Sequence, residues 1–116
     1  MNLRATPRLS VIAVTAFLTT LAIGPAHAID AASAETLARQ NGCLKCHATD
    51  KTKEGPSFKE IAAKYKGKPG AEERLITHIT TGEKAKFADG HEEEHKVIKT
   101  KDMNELKNVV GWILSF

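Results

Sequence analysis

The chain has 116 residues, of which 41% are hydrophobic and 27% charged, with a formal net charge of +3. That length limits it to one small domain, and the near balance of charge excludes the broad basic face of a nucleic-acid binder. With only 5% aromatic residues, so short a chain has too few large apolar side chains to close a core unaided and calls for a staple.

The first residues read as a targeting segment. Arg4 and Arg8 lead into an apolar run from Leu9 to Ile23, Pro25 breaks it, and Ala26-His27-Ala28 has the small-x-small pattern of a cleavage site. The run is short for a membrane span. Residues 1–28 are therefore expected to be a signal peptide cleaved after Ala28, a retained anchor being the alternative, and 29–116 the mature domain in the periplasm. Loss of Arg4 and Arg8 takes 17 basic residues to 15 against 14 acidic ones, a net +1.

Ala31 to Asn41 reads as a first helix, with Ser33 as candidate N-cap and Leu37 and Ala38 on its apolar side. Gly42 ends it and leads into Cys43-Leu-Lys-Cys-His47. Two cysteines two residues apart, with histidine directly after the second, have the spacing of a c-type haem attachment site. Each thiol adds across one vinyl group of the porphyrin, and the adjacent histidine swings beneath the ring to ligate iron. The competing readings of a C-x-x-C pair fit less well. A redox dithiol expects a βαβ pattern, a zinc site expects a second ligand pair, and a plain disulfide leaves His47 without a role.

After a polar loop, Gly55-Pro56 precedes Ser57-x-x-Glu60, a capping box that starts a second helix. Phe58, Ile61, Ala62 and Tyr65 share one face of it. A third helix spans about Ala71 to Thr80, with Leu75, Ile76 and Ile79 apolar and Gly82 closing it. Its His78 reads as an ordinary boundary histidine. Glu83 to Lys101 has no clean period and no strand signal, and reads as a long loop holding Phe87, Gly90, His91 and His95. Asp102-x-x-Glu105 then predicts a capping box on the last helix, whose stripe is Leu106, Val109, Val110, Ile113 and Leu114, with Trp112 at its edge. His91-Glu-Glu-Glu-His95 matches the H-E-x-x-H zinc-protease pattern. That chemistry requires a helix and a third ligand, which a loop after Asp89-Gly90 in so small a domain does not offer.

The pre-motif helix ending Asn-Gly-Cys, CLKCH, GPSFKEIAAKYKG at 55–67 and the terminal GWILSF together resemble the small class I bacterial cytochromes c. The resemblance implies an all-α fold of about four helices wrapped around one covalent haem c. It implies thioethers at Cys43 and Cys46, His47 as proximal iron ligand, and Pro56 as the residue whose carbonyl accepts the hydrogen bond of the proximal imidazole, orienting it and raising its basicity. The family's sixth ligand is a methionine in the loop before the last helix, usually beside proline. Here that loop has neither, and Met103, the sole methionine of 29–116, falls in the first turn of the last helix. His95 is the expected distal ligand, because Val97 and Ile98 would pack its segment down. His91, Met103 or an open site remain alternatives.

The function expected is one-electron transfer by a periplasmic carrier, not catalysis. The alternatives are a haem subunit of an oxidoreductase complex and a sensor with a displaceable sixth ligand. Lys45, Lys51, Lys53, Lys59, Lys64, Lys66 and Lys68 cluster after the haem motif. They suit docking to an acidic-surfaced redox partner, or simply solubility.

Overall fold

The computed structural model describes residues 28–116. The expected leader thus lies outside the described residues, apart from Ala28. The elements run α1 (Ala31–Gln40), α2 (Cys43–Cys46), α3 (Phe58–Tyr65), α4 (Ala71–Thr81), β1 (Lys84–Lys86), β2 (Glu92–Glu94) and α5 (Met103–Leu114). Helices dominate, as expected, and among the described residues no helix is long and apolar enough to cross a membrane.

Helix α1 is capped by Asp30 rather than Ser33. The Asp30 carboxylate accepts from the Ser33 backbone N–H at 3.0 Å and from its hydroxyl at 2.7 Å. Both bonds satisfy the helix end better than a serine cap placed three residues later, which would leave the first turn unformed. Asp30 also ties α1 to α5. Its N–H donates to Asn108 Oδ1, and Asn108 Nδ2 donates to its carbonyl, each at 2.8 Å. Ala34 and Ala38 are buried on the face of α1 toward α5, and such small side chains let the two helices approach closely.

Helix α3 carries the expected capping box. Glu60 N–H donates to Ser57 Oγ at 3.1 Å and Ser57 N–H to Glu60 Oε2 at 2.6 Å. Its Phe58 and the α5 residues Leu106, Val109, Val110 and Trp112 form the centre of the core, joined by Leu75 and Ile79 of α4. Phe58, Trp112 and Phe116 make an aromatic cluster with ring centres 5.2 to 5.7 Å apart. Trp112 is thus buried in the core, not held at the edge of the stripe.

The stretch from Glu83 onward is not structureless. β1 and β2 pair antiparallel, with Lys84 opposite Glu94, Ala85 opposite Glu93 and Lys86 opposite Glu92. Two of the three cross-strand pairs join opposite charges, the arrangement that favours pairing. The strands are three residues long, exposed and without apolar alternation, so the period-2 signal on which strand detection rests is missing. Gly90, at φ 91°, makes the turn in a backbone conformation that other residues rarely adopt.

The last helix also departs from expectation. Asp102 caps it by accepting from Asn104 N–H at 2.8 Å. Glu105 does not complete a capping box, because it accepts from the Thr100 hydroxyl instead.

Candidate functional site

The site begins with α2, a single turn. Gly42 enters it at φ 72°, and the spacing of three residues sets Cys43 and Cys46 on one side of that turn. His47 leaves it in an extended conformation, φ −116° and ψ 148°, which turns its imidazole away from the turn. Gly55 N–H donates to Cys46 O at 2.9 Å, closing the polar loop back onto the motif.

That closure positions His47. Its Nδ1 lies 2.6 Å from the Pro56 carbonyl oxygen. A carbonyl only accepts, so Nδ1 carries the proton and Nε2 keeps its lone pair. Phe58 stacks against the ring at 5.7 Å. Gly55 forms the cradle, since a Cβ there would come within 2.7 Å of His47 Cε1. In the sequence Gly55 marks only the start of the Gly-Pro step before the capping box. Its requirement is steric, and the Gly-Pro step was the available clue.

The cysteines are half-buried and not joined to each other. Burial pushes both thiols above the ordinary cysteine range. At Cys46 the neighbouring Glu54 carboxylate adds to the effect and accepts from Sγ at 3.3 Å. Raised thiols are the opposite of what a reactive redox dithiol needs.

Cys43, His47 and Pro56 line a cavity of about 410 Å³ together with Phe58, Leu75, Ile79, Ile98, Val109 and, on the far side, His95. Glu60, Lys64, Arg74, His78, Glu83, Lys84 and Lys86 also line it. The His95 ring centre is 6.1 Å from that of His47. Two imidazoles bound to opposite faces of one metal, each nitrogen about 2 Å from it, have ring centres about 6 Å apart. His95 Nδ1 is buried without a hydrogen-bond partner. Burial, then His78, then His47 lower its pKa to about 4, so at neutral pH the imidazole is uncharged and keeps a free lone pair. A half-buried, neutral imidazole with an unpartnered Nδ1, lining the same cavity as His47, fits a haem held between the two.

Backbone bonds hold His95 there. His95 N–H donates to Glu83 O at 3.0 Å, and Ile98 N–H to Ile79 O at 2.8 Å. Ile98 is 6% exposed but Val97 41%, so only one of the two expected packing residues seals the segment. The alternatives lie elsewhere. His91 borders a different depression with Lys53, Glu54 and Phe87. It is bonded to Asp89 and lies 3.4 Å from Glu93; the Asp89 bond raises its pKa. Met103 opens α5 at 50% exposure and does not border the cavity. The H-E-x-x-H segment is a strand, not the helix a zinc protease requires.

His78, read from the sequence as an ordinary boundary histidine, sits beside His95 with ring centres 4.1 Å apart and lines the same cavity. Its Nδ1 is 2.6 Å from Glu83 Oε1, which also pairs with Arg74 at 2.6 Å. His78, then Arg74, hold the Glu83 carboxyl below its usual range. The seven lysines after the motif are all exposed. Around Cys46, Lys45 and Lys96 share the surface with Glu54, Glu93 and Glu94.

Residues 31–116 match the family model described as cytochrome c. Cytochrome c-551 of Azotobacter vinelandii is 33% identical over 70% of this chain and 94% of its own length. That of Stutzerimonas stutzeri is 34% identical over 82% and 90%. The crystal structure of the class 1 cytochrome MtoD from Sideroxydans lithotrophicus ES-1 is 58% identical, covers 76% of this chain and 97% of its own, and superposes with a TM-score of 0.72. Cytochrome c552 of Nitrosomonas europaea, at 28% identity, gives 0.55 over 70% and 96%.

Proposed function

The chain belongs to the cytochrome c family, which carries one covalent haem c and transfers electrons, and on that premise we propose that it is a periplasmic one-electron carrier with two histidine ligands. Cys43 and Cys46 would hold the haem by thioethers, and His47 and His95 would ligate its iron. When bound, the haem supplies an iron that takes up and gives up one electron. Pro56 orients His47 and makes it more basic by accepting from Nδ1–H. Gly55 leaves room for the ring, and Phe58 supports it. Leu75, Ile79, Ile98 and Val109 keep water from the slot. The leader, residues 1–28, directs export and is removed after Ala28, which leaves a mature domain without a membrane span.

The observation that carries the reading is that His47 and His95 line one cavity with ring centres 6.1 Å apart. A second imidazole where the family has a thioether lowers the reduction potential, so a low-potential carrier is expected. The exposed lysines around the motif favour an acidic partner surface, whether met by a free carrier or within an oxidoreductase complex.

Absorption and EPR spectroscopy of the purified holoprotein and of His95→Ala test this. The parent should be low-spin with two nitrogen ligands, and the variant high-spin. A sulfur-to-iron charge-transfer band in the parent would assign Met103 and overturn His95. A high-spin parent would mean an open sixth site.

A further inference from the structure

Resting on the assignment of His95 as distal ligand, we propose that Glu83 and His78 form a positioning pair that holds the distal imidazole on its axis. Gly82 ends α4 in the left-handed conformation at φ 67° and turns the chain back over the helix. Glu83, the next residue, then meets the ligand twice. Its carbonyl accepts the backbone N–H of His95 at 3.0 Å. Its carboxylate Oε1 accepts from His78 Nδ1 at 2.6 Å. Arg74, one turn up α4, pins the same carboxylate oxygen at 2.6 Å.

His78 in turn lies against His95 with ring centres 4.1 Å apart and planes inclined by 40°. Backbone bonds hold the distal segment further on, where Ile98 N–H donates to Ile79 O at 2.8 Å and Lys99 N–H to Asn41 Oδ1 at 3.0 Å. Nearer the ring, the strands before it are exposed apart from the half-buried Ala85, and Lys96 and Val97 after it are exposed. An imidazole on such a segment is free to rotate about its side-chain bonds unless a neighbour blocks it. The His78 ring is that neighbour, and Glu83 fixes it, because an imidazole bonded at Nδ1 to a charged acceptor no longer turns freely. Glu83 thus couples the backbone of the ligand to the ring that lies against its side chain. Neither residue touches the iron; both act through His95, as partners outside the ligand set do at other metal sites.

The test uses the holoprotein with Glu83→Ala and His78→Phe. The second keeps an aromatic ring beside His95 but removes the bond to Glu83. The readouts are the rate at which carbon monoxide displaces the distal ligand of the ferrous protein and the EPR g-values of the ferric protein. In both variants displacement should become about ten- to a hundredfold faster and the g-values should shift or broaden, while the Soret yield shows haem still attached. Glu83→Gln, which keeps the size and drops the charge, should move the same readouts in the same direction and serves if Glu83→Ala fails to fold. Unchanged displacement rates and g-values in folded variants, with His95→Ala high-spin, would overturn the positioning role alone. A low-spin His95→Ala with unchanged g-values would overturn the ligand assignment and this inference with it.

Discussion

The imidazoles of His47 and His95 face one another with ring centres 6.1 Å apart and planes tilted by 49°. The first is delivered by the one-turn helix α2 and locked by the Pro56 carbonyl. The second arrives from the opposite wall, on the segment that follows a charged hairpin. Their separation matches that of two imidazoles on opposite faces of one metal, and His95 Nδ1 is buried without a hydrogen-bond partner.

His95→Met should therefore raise the reduction potential, because a thioether favours ferrous iron more than an imidazole does. A tenfold gain in the ferrous-to-ferric ratio corresponds to about 59 mV for one electron, and a rise of at least that order is expected in a redox titration. An unchanged potential in a fully haem-loaded variant would count against His95.

Gly55→Ala should weaken the proximal side. The new Cβ lands 2.7 Å from His47 Cε1, so the imidazole must move off the Pro56 carbonyl. Overpacking of this kind costs about 1–3 kcal/mol. Denaturant titration of the holoprotein reads the loss, and an unshifted midpoint would show that the cradle tolerates a methyl group.

Phe58→Ala removes the ring that touches His47, Trp112 and Phe116 together. Truncating a buried phenylalanine costs about 3–5 kcal/mol, which in a domain of this size lowers Tm by more than about 10 °C. Calorimetry checks it. The effect should exceed that of Ser57→Ala, where one N-cap worth about 1 kcal/mol is lost.

The capping box also predicts an acid limb in stability. The Ser57 backbone N–H, then the Thr52 hydroxyl, hold the Glu60 carboxyl below its ordinary value of 4.5. A depressed carboxyl stabilises the folded state above the unfolded pKa, and that stabilisation is lost as pH falls through the lower folded value. Glu60→Gln should therefore be less stable than the parent at pH 6, the gap narrowing toward pH 3. A gap that stays constant across that range would remove Glu60 from the acid response.

Charge reversal at Lys45 and Lys53 should slow electron exchange with an acidic redox protein and flatten its dependence on salt, since steering by exposed charge is screened over a Debye length of about 10 Å at 0.1 M. Stopped-flow rates at two ionic strengths read both effects. Equal rates for parent and variant at low salt would leave the lysines a solubility role only.

The helices were legible because their signals are local. The Ser57–Glu60 capping box and the stripe of Leu106, Val109 and Val110 each lie within a few residues of chain. Helix ends are less legible where two local bonds compete, as when Asp30 rather than Ser33 caps α1, or when Thr100 claims Glu105. The hairpin was illegible because its strands are short, charged and exposed, and their pairing is defined only by each other.

By itself the sequence determined the anchored face of the site. CLKCH and Gly-Pro are contiguous, so covalent spacing and steric need specify Cys43, Cys46, His47 and their support. What only the tertiary structure decided is the opposite face. The loop offered two histidines, and the packing of Val97 and Ile98 pointed to His95, but the fold set the two rings apart, one lining the cavity and the other at the surface beside Asp89. It also set Glu83 and His78 beside His95, lining the same cavity. The physical reason is that a hairpin's register and a glycine turn bring together groups whose sequence neighbours carry no record of the meeting.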